Sequence, residues 1–182
     1  MARFYPALDA RHRAFIAAQK LFFTASGGAN GRINLSPKGM DSLVVIDEKC
    51  VAYLDLTGSG NETAAHLKHD GRLTLMWCSF DTDPLILRLY GHSRAVRRQD
   101  AEWGELRRHF ALLPGERQLI VLDIAAVQTS CGYAVPKYTY VGERDTLARW
   151  AEKKGAVGLL DYWREKNQVS IDGLPTGLLE DA

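Results

Sequence analysis

The sequence predicts a mainly β protein of the α+β class, built on one antiparallel sheet or barrel. About six or seven apolar runs have the length and alternation of strands, and most of them follow one another through tight turns. Four or five short helical stretches flank these runs, roughly as expected for helices packed outside a sheet. Strands joined by tight turns pair antiparallel, because parallel pairing needs a long crossover.

The elements of the first half can be taken in order. Residues 9–20 have the pattern of a short amphipathic helix. Glycine and asparagine turn signals between residues 26 and 31 separate two strand-like runs and predict a first hairpin. A second hairpin is predicted over residues 42–57, where a polar turn at 47–49 separates two apolar runs.

The second half continues with strands at 72–80 and 84–96, a helix at 99–112 and a long strand at 117–130. We predict one domain over residues 1–182, with residues 145–182 as a C-terminal helical extension broken near two glycines. Residues 172–182 carry few packing signals, so we expect them to be mobile.

Composition excludes several classes of function. The formal net charge of the 182 residues is +1, so no general field attracts nucleic acid or an anionic membrane surface. No apolar run approaches the ~20 residues needed to cross a bilayer. The three cysteines are odd in number and widely spaced, which argues against a disulfide framework. We therefore expect a cytoplasmic protein that binds neither nucleic acid nor membranes.

The turn Gly58-Ser59-Gly60 precedes a short predicted helix and allows two interpretations. Ser59 and Glu62 fit the spacing of a capping box, which would explain the sequence by helix stability alone. The same helix start could bind a phosphate through its free amides. Side-chain donors for that anion are available at Thr57, Ser59, Asn61 and Thr63.

Two cations bracket the strand-like stretch that ends the first hairpin. Arg32 and Lys38 could complete an anion site, since guanidinium and ammonium groups are the usual phosphate partners, or they could be ordinary surface charges. His66 and His69 stand three residues apart, but no third ligand is evident, so we interpret them as surface histidines and expect no metal site.

Taken in order, these segments resemble the pyridoxamine 5′-phosphate oxidase family, the FMN-binding split barrels. The resemblance covers roughly residues 10–130 and rests on the order and spacing of its parts. Those parts are the strand Arg32–Leu35, the hairpin that ends in residues 53–57, the turn and helix that follow, and the strands 72–77 and 87–96.

The resemblance implies a six-stranded antiparallel split β-barrel with flanking short helices, working as a homodimer with FMN at the interface. It implies that the strand from Arg32 runs along the flavin. The cofactor-binding residues carried over are Arg32, Ile33, Asn34, Leu35, Ser36, Lys38, Thr57, Gly58, Ser59, Asn61 and Thr63.

This chain also departs from the family pattern. Glu62 and Thr63 stand where the family has two cations, and Ile86 replaces a glutamine that meets the flavin. The C-terminal motif of the vitamin B6 enzyme is missing. The departures, with the stretches 34–39 and 130–136, indicate a bacterial branch other than the vitamin B6 enzyme.

The function implied is an FMN-dependent oxidoreductase that acts on a small organic substrate. Trp77, Arg88, Tyr133 and Tyr138 are hypothesised to line the substrate side. The alternative is a non-catalytic split barrel that binds or senses a flavin or another ligand with weakened FMN affinity. A deazaflavin or heme is a third possibility, with His92 as the candidate axial ligand for heme.

Overall fold

One antiparallel sheet organises the chain. A computed structural model describes residues 2–180, and in that range eight strands form the sheet in the order β3-β2-β6-β7-β8-β5-β4, with β1 paired to β8. The strands are β1 Arg3–Tyr5, β2 Phe22–Ser26, β3 Asn34–Lys38, β4 Leu43–Val45, β5 Cys50–Leu56, β6 Arg72–Cys78, β7 Ile86–Val96 and β8 Glu116–Ser130. The sheet curls into the half-barrel expected of a split barrel.

Both predicted hairpins are present. β2 pairs antiparallel with β3, and β4 pairs antiparallel with β5. The sheet has eight strands rather than six: the apolar runs already predicted six or seven, with β4 as the first strand of the second hairpin, and β1 is a strand that they did not predict. Since β1 has three residues, it leaves almost no periodic pattern in the sequence, and its place is set by pairing with β8.

The helices are α1 Ala10–Ala18, α2 Glu62–His69, α3 Trp103–Arg107 and α4 Thr146–Lys166. The predicted helix at 99–112 is therefore shorter than expected. The Arg107 side chain donates to the carbonyls of Phe110 and Ala111, which takes the place of further helical bonds. Within α4 the backbone at Gly155 is non-helical, with φ of 64°, at the predicted break. None of the described helices, in residues 2–180, is both long and apolar enough to cross a membrane.

The central strands are apolar on both faces. On β5, Val51 and Tyr53 face one buried cluster, whereas Ala52 and Leu54 face another. Side chains of α1 contribute to the first cluster and side chains of α3 pack against the second. Asp55 on β5 is almost completely buried, so its charge requires a partner.

The chain after α4 returns to the sheet. In this C-terminal segment, residues 167–180, the side chains of Asn167, Thr176 and Leu178 are buried. Arg97 donates to the Thr176 carbonyl at 3.0 Å. The prediction that this tail is mobile is wrong for residues 172–180, because long-range hydrogen bonds order it; residues 181–182 lie outside the described range.

Candidate functional site

A cavity of about 730 Å³ lies between β3, the loop before α2 and the C-terminal segment. This β3–α2 cavity has a volume typical of small-molecule sites. It is lined by Arg32, Ile33, Asn34, Leu35, Ser36, Lys38, Asp55, Leu56, Gly58, Ser59, Gly60, Asn61, Glu62, Thr63, His66, Arg117, Lys166, Val169, Ser170 and Ile171.

The helix start differs from the predicted capping box. Asn61, and not Ser59, is the N-cap residue of α2, and its side chain makes no capping hydrogen bond. That side chain instead accepts from Gln118 at 2.7 Å and donates to the Asn167 carbonyl at 3.4 Å. The first amides of α2 therefore have no side-chain cap within the described part of the chain, and they are available to an anion.

Glu62 has a partner that the sequence did not suggest. Both of its carboxylate oxygens accept from the Ile171 amide, at 3.1 Å each. The carboxylate thus binds the C-terminal segment at the edge of the cavity. This contact reduces the repulsion that Glu62 would otherwise exert on a bound phosphate.

A buried cluster of charged and amide side chains surrounds Asp55, which is 2% exposed. Arg117 donates to its carboxylate at 2.7 and 3.2 Å, Gln118 donates at 2.9 Å and Lys38 donates at 2.7 Å. Burial raises the pKa of the Asp55 carboxyl, but the charges of Arg117 and Lys38 outweigh burial and hold that pKa well below its usual range. Asp55 is therefore ionised at neutral pH.

The two cations that bracket β3 are both ion-paired. The Lys38 side chain is 22% exposed, bonds Asp55 and lies 5.6 Å from the centre of the Tyr53 ring. The Arg32 side chain is 68% exposed and pairs with Asp172, which also accepts from the Arg32 amide at 2.7 Å. Lys38 is thus part of the buried cluster, whereas Arg32 connects β3 to the C-terminal segment.

The residues present fit a phosphate-bearing cofactor. Four cationic side chains line the β3–α2 cavity, at Arg32, Lys38, Arg117 and Lys166, against the two carboxylates of Asp55 and Glu62. Asp172 and Glu165, outside the lining, pair with Arg32 and Lys166, so the cations favour an anion as local donors and not through a net positive charge. The uncapped start of α2 adds amide donors. Ile33 and Leu35 supply apolar surface for the flat part of a ligand.

All but one of the predicted cofactor residues line this cavity. The exception is Thr57, which is 1% exposed. Its hydroxyl donates to the Gly115 carbonyl at 2.8 Å and accepts from the Trp163 indole at 2.9 Å. Thr57 therefore joins three elements of the fold and does not face the site.

The hypothesised substrate residues are not brought to this cavity. Trp77 is 2% exposed, packs against Phe22 in the core and borders a separate cavity of about 560 Å³, so it does not line the β3–α2 cavity. Arg88 donates to the Ser130 hydroxyl on the neighbouring strand, at 3.2 Å. Tyr133 and Tyr138 are exposed and lie outside the lining of the β3–α2 cavity.

His66 is a site residue that sequence reasoning placed on the surface. It is 2% exposed, lies 3.0 Å from the Ser26 hydroxyl through Nδ1 and lines the cavity. His69 is exposed, as expected, and His92 is exposed beside another cavity. Across residues 2–180 no three histidine, cysteine or acidic side chains are grouped as a metal site would require.

Asp55, Arg117 and the C-terminal residues 169–171 were also missed. An acidic residue inside an apolar strand was a signal for a buried ion pair, but its cationic partner could not be chosen from the sequence. The C-terminal residues gave no signal, because their place depends on how α4 returns to the sheet.

Comparison with known proteins agrees with this geometry. Residues 8–131 match the family model described as "Pyridoxamine 5′-phosphate oxidase". The "Pyridoxamine 5′-phosphate oxidase family protein ustO" of Aspergillus flavus is 37% identical over 193 residues, covering 96% of this chain and 78% of that relative. This relative is fungal, whereas the departures from the family pattern predicted a bacterial branch; that prediction stays a prediction.

Solved structures show the same fold at low identity. The H111A variant of HupZ from Group A Streptococcus has a TM-score of 0.54 and 15% identity, covering 67% of this chain and 98% of its own. A pyridoxamine 5′-phosphate oxidase candidate from Lactobacillus delbrueckii has a TM-score of 0.52 and 20% identity, with coverages of 68% and 94%. The FAD-binding protein of Mycobacterium smegmatis has a TM-score of 0.50 and 15% identity, with coverages of 69% and 97%.

The family match spans more than half of this chain, and the fungal relative is similar along nearly all of it. The chain therefore belongs to the pyridoxamine 5′-phosphate oxidase family.

Proposed function

We propose that this chain binds FMN in the β3–α2 cavity and is an FMN-dependent oxidoreductase acting on a small organic substrate. The observation that carries the proposal is the meeting of four cationic side chains and an uncapped helix start in one cavity of about 730 Å³. A phosphate monoester is the ligand group that such a donor set suits best. Family membership and the FAD-binding relative of the same fold support a flavin as the rest of the ligand.

The residues have separate roles in this proposal. The amides at the start of α2, with Ser59 and Thr63, would bind the phosphate, and Lys38 on β3 and Arg117 on β8 would supply positive charge. The backbone of β3 and the side chains of Ile33 and Leu35 lie beside the flavin ring. When bound, FMN supplies the two-electron redox chemistry, so the protein binds and orients.

We also propose that the working form is a homodimer with the flavin at its interface. Four apolar side chains around the cavity are exposed in the single chain: Ile33 at 81%, Leu35 at 65%, Val169 at 56% and Ile171 at 69%. A cluster of exposed apolar side chains is typical of an interaction surface.

The cytoplasm is the proposed location of the protein, to be tested by imaging the tagged chain.

Purification tests the cofactor directly. We expect a yellow protein with a flavin absorption spectrum, from which denaturation releases FMN as identified by chromatography. Titration of the apoprotein with FMN and with FAD then compares the two flavins. A colourless protein whose fluorescence and thermal midpoint do not change with excess of either flavin would reject flavin binding.

A second function is favoured by the ion pairs. Arg32 and Lys38 each already have a carboxylate partner, and Glu62 stands in the cavity lining. These features suit weakened affinity and a non-catalytic protein that binds or senses a flavin or another ligand. Anaerobic addition of a nicotinamide donor separates the two functions, because bound flavin is bleached in an oxidoreductase and stays oxidised in a binding protein.

A further inference from the structure

The C-terminal segment forms part of the wall of the proposed cofactor site. Val169, Ser170 and Ile171 line the β3–α2 cavity, although they lie well beyond residue 131, where the family match ends. The segment contacts two different parts of the site, since Ile171 donates to Glu62 on α2 and Asp172 pairs with Arg32 beside β3. A segment beyond the residues that the family model matches therefore closes one side of the cavity.

Asn167, the first residue of that segment, holds the loop before α2. It is fully buried, with no exposed surface. Its side-chain amide donates to the Gly58 carbonyl at 3.2 Å, and its side-chain oxygen accepts from Arg117 at 2.9 Å. Its backbone carbonyl accepts from the Asn61 side chain at 3.4 Å. One residue thus bonds both ends of the Gly58–Asn61 loop.

Arg117 ties this arrangement to the sheet. The same guanidinium nitrogen that donates to Asn167 also donates to the Gly60 carbonyl at 3.0 Å, while the rest of the group bonds Asp55. Because Asn61 makes no capping bond to its own helix, the loop's conformation depends on these contacts from other elements. A buried amide whose donor and acceptor are both used has little freedom to move.

We propose that Asn167 is a positioning residue of the cofactor site, which holds the Gly58–Asn61 loop so that the amides at the start of α2 face the phosphate. The inference rests on the proposed binding of FMN in this cavity. The family has two cations at the positions of Glu62 and Thr63. In this chain, the proposal assigns the maintenance of the phosphate site to the C-terminal segment instead.

The test compares Asn167→Ala with Gln168→Ala in the full chain. Asn167→Ala removes both side-chain hydrogen bonds to the loop and to Arg117. Gln168→Ala is the matched control, because the Gln168 side-chain amide donates to the Trp163 carbonyl of α4, at 2.9 Å, and not to the Gly58–Asn61 loop or to Arg117. We expect FMN to bind Asn167→Ala about tenfold more weakly than wild type, and Gln168→Ala to bind as wild type does.

A second readout does not need the cofactor. In the absence of FMN, hydrogen exchange of amides 58–64 should be faster in Asn167→Ala than in Gln168→Ala, with exchange in β7 and β8 unchanged. Asn167→Asp keeps the acceptor for Arg117 but places a buried carboxylate oxygen against the Gly58 carbonyl. It should therefore also exchange faster at amides 58–64 and bind FMN more weakly than Gln168→Ala, and it serves if the alanine variant does not fold. Equal FMN affinity and equal exchange in all variants would overturn the proposal while leaving FMN binding intact; a wild-type protein that binds no FMN would overturn both.

Discussion

Arg117 is the residue on which the buried cluster of the site depends most. It is 4% exposed and pairs with Asp55, whose side chain is 3% exposed. Removing one partner of a buried pair leaves the other charge without compensation. We expect Arg117→Met to lower the free energy of unfolding by roughly 3–5 kcal/mol, measured by urea denaturation.

The matched control is Arg108→Met. Arg108 pairs with Glu105, but both side chains are mostly exposed, so the unfolding midpoint should stay close to that of wild type. If Arg117→Met proved as stable as Arg108→Met, the Arg117–Asp55 pair would contribute little to the fold.

Asp55 gives the protein a specific response to acid. Because the folded-state pKa of its carboxyl is lowered, its contribution to stability is present above the unfolded-state value of about 3.9 and is lost as the pH falls below it. The stability difference between wild type and Asp55→Asn should therefore be constant near neutral pH and shrink below about pH 4. Urea midpoints measured from pH 2.5 to 7 check this, and a difference that already shrinks above pH 6 would contradict it.

At the scale of elements, β7 and β8 make a close contact that allows only glycine. The register of the two strands shifts between Tyr90 and Gly91, and a Cβ at Gly91 would lie 2.0 Å from the Asp123 carbonyl oxygen. Gly91→Ala should therefore destabilise the protein by at least about 1–3 kcal/mol, measured as a fall in the unfolding midpoint.

Gly104→Ala is the control for Gly91. Gly104 lies in α3, and an added Cβ meets nothing within 4 Å. Alanine there should stabilise the chain by about 0.4–1 kcal/mol through the unfolded state. Equal effects of the two substitutions would mean that the β7–β8 approach is not as close as described.

The ion pair between Arg32, beside β3, and Asp172, in the C-terminal segment, should affect the affinity of the site for an anion. Asp172 pairs with the Arg32 guanidinium, so in the proposed FMN complex it would compete with the phosphate for that group. Asp172→Asn removes that charge but keeps an oxygen that can accept from the Arg32 amide, so the segment stays in place. We expect FMN to bind this variant roughly threefold to tenfold more tightly, as measured by fluorescence titration.

Asp161→Asn is the control for charge alone. Asp161 pairs with Arg164 on α4, and it does not line the cavity. The variant Asp161→Asn should leave the FMN dissociation constant unchanged. Weaker binding in Asp172→Asn would show that Asp172 supports the site and does not compete with the ligand.

At the scale of the whole molecule, the exposed apolar side chains around the cavity predict self-association. Leu35 lies on β3, at the edge of the sheet, and is 65% exposed. Light scattering should give twice the chain mass for wild type, and Leu35→Arg should give the mass of one chain, because a buried arginine without a partner opposes the interface. Leu112→Arg is the control, since Leu112 is 88% exposed but does not line the cavity, and it should remain a dimer. A dimeric Leu35→Arg would place the interface elsewhere.

Much of the fold could be predicted from local pattern. Both early hairpins, helix α1, and the strands β6, β7 and β8 follow from alternation and turn residues. The cavity residues on β3 and before α2 followed from family resemblance, and all but Thr57 line one cavity. The burial of Trp77 in the core could not be predicted, because an aromatic residue in an alternating strand has the same pattern whether its face meets the core or a ligand.

The sequence by itself determined which stretches of the chain form strands, the resemblance to the family and two of the stretches that line the site, β3 and the loop before α2, because each depends on neighbours a few residues apart. The tertiary structure alone decided that Arg117 meets Asp55, 62 residues away, that His66 is buried, and that Asp172 reaches Arg32 across 140 residues. The physical reason is that burial and charge pairing depend on which distant surfaces the packed sheet brings together, and local periodicity carries no information about that choice.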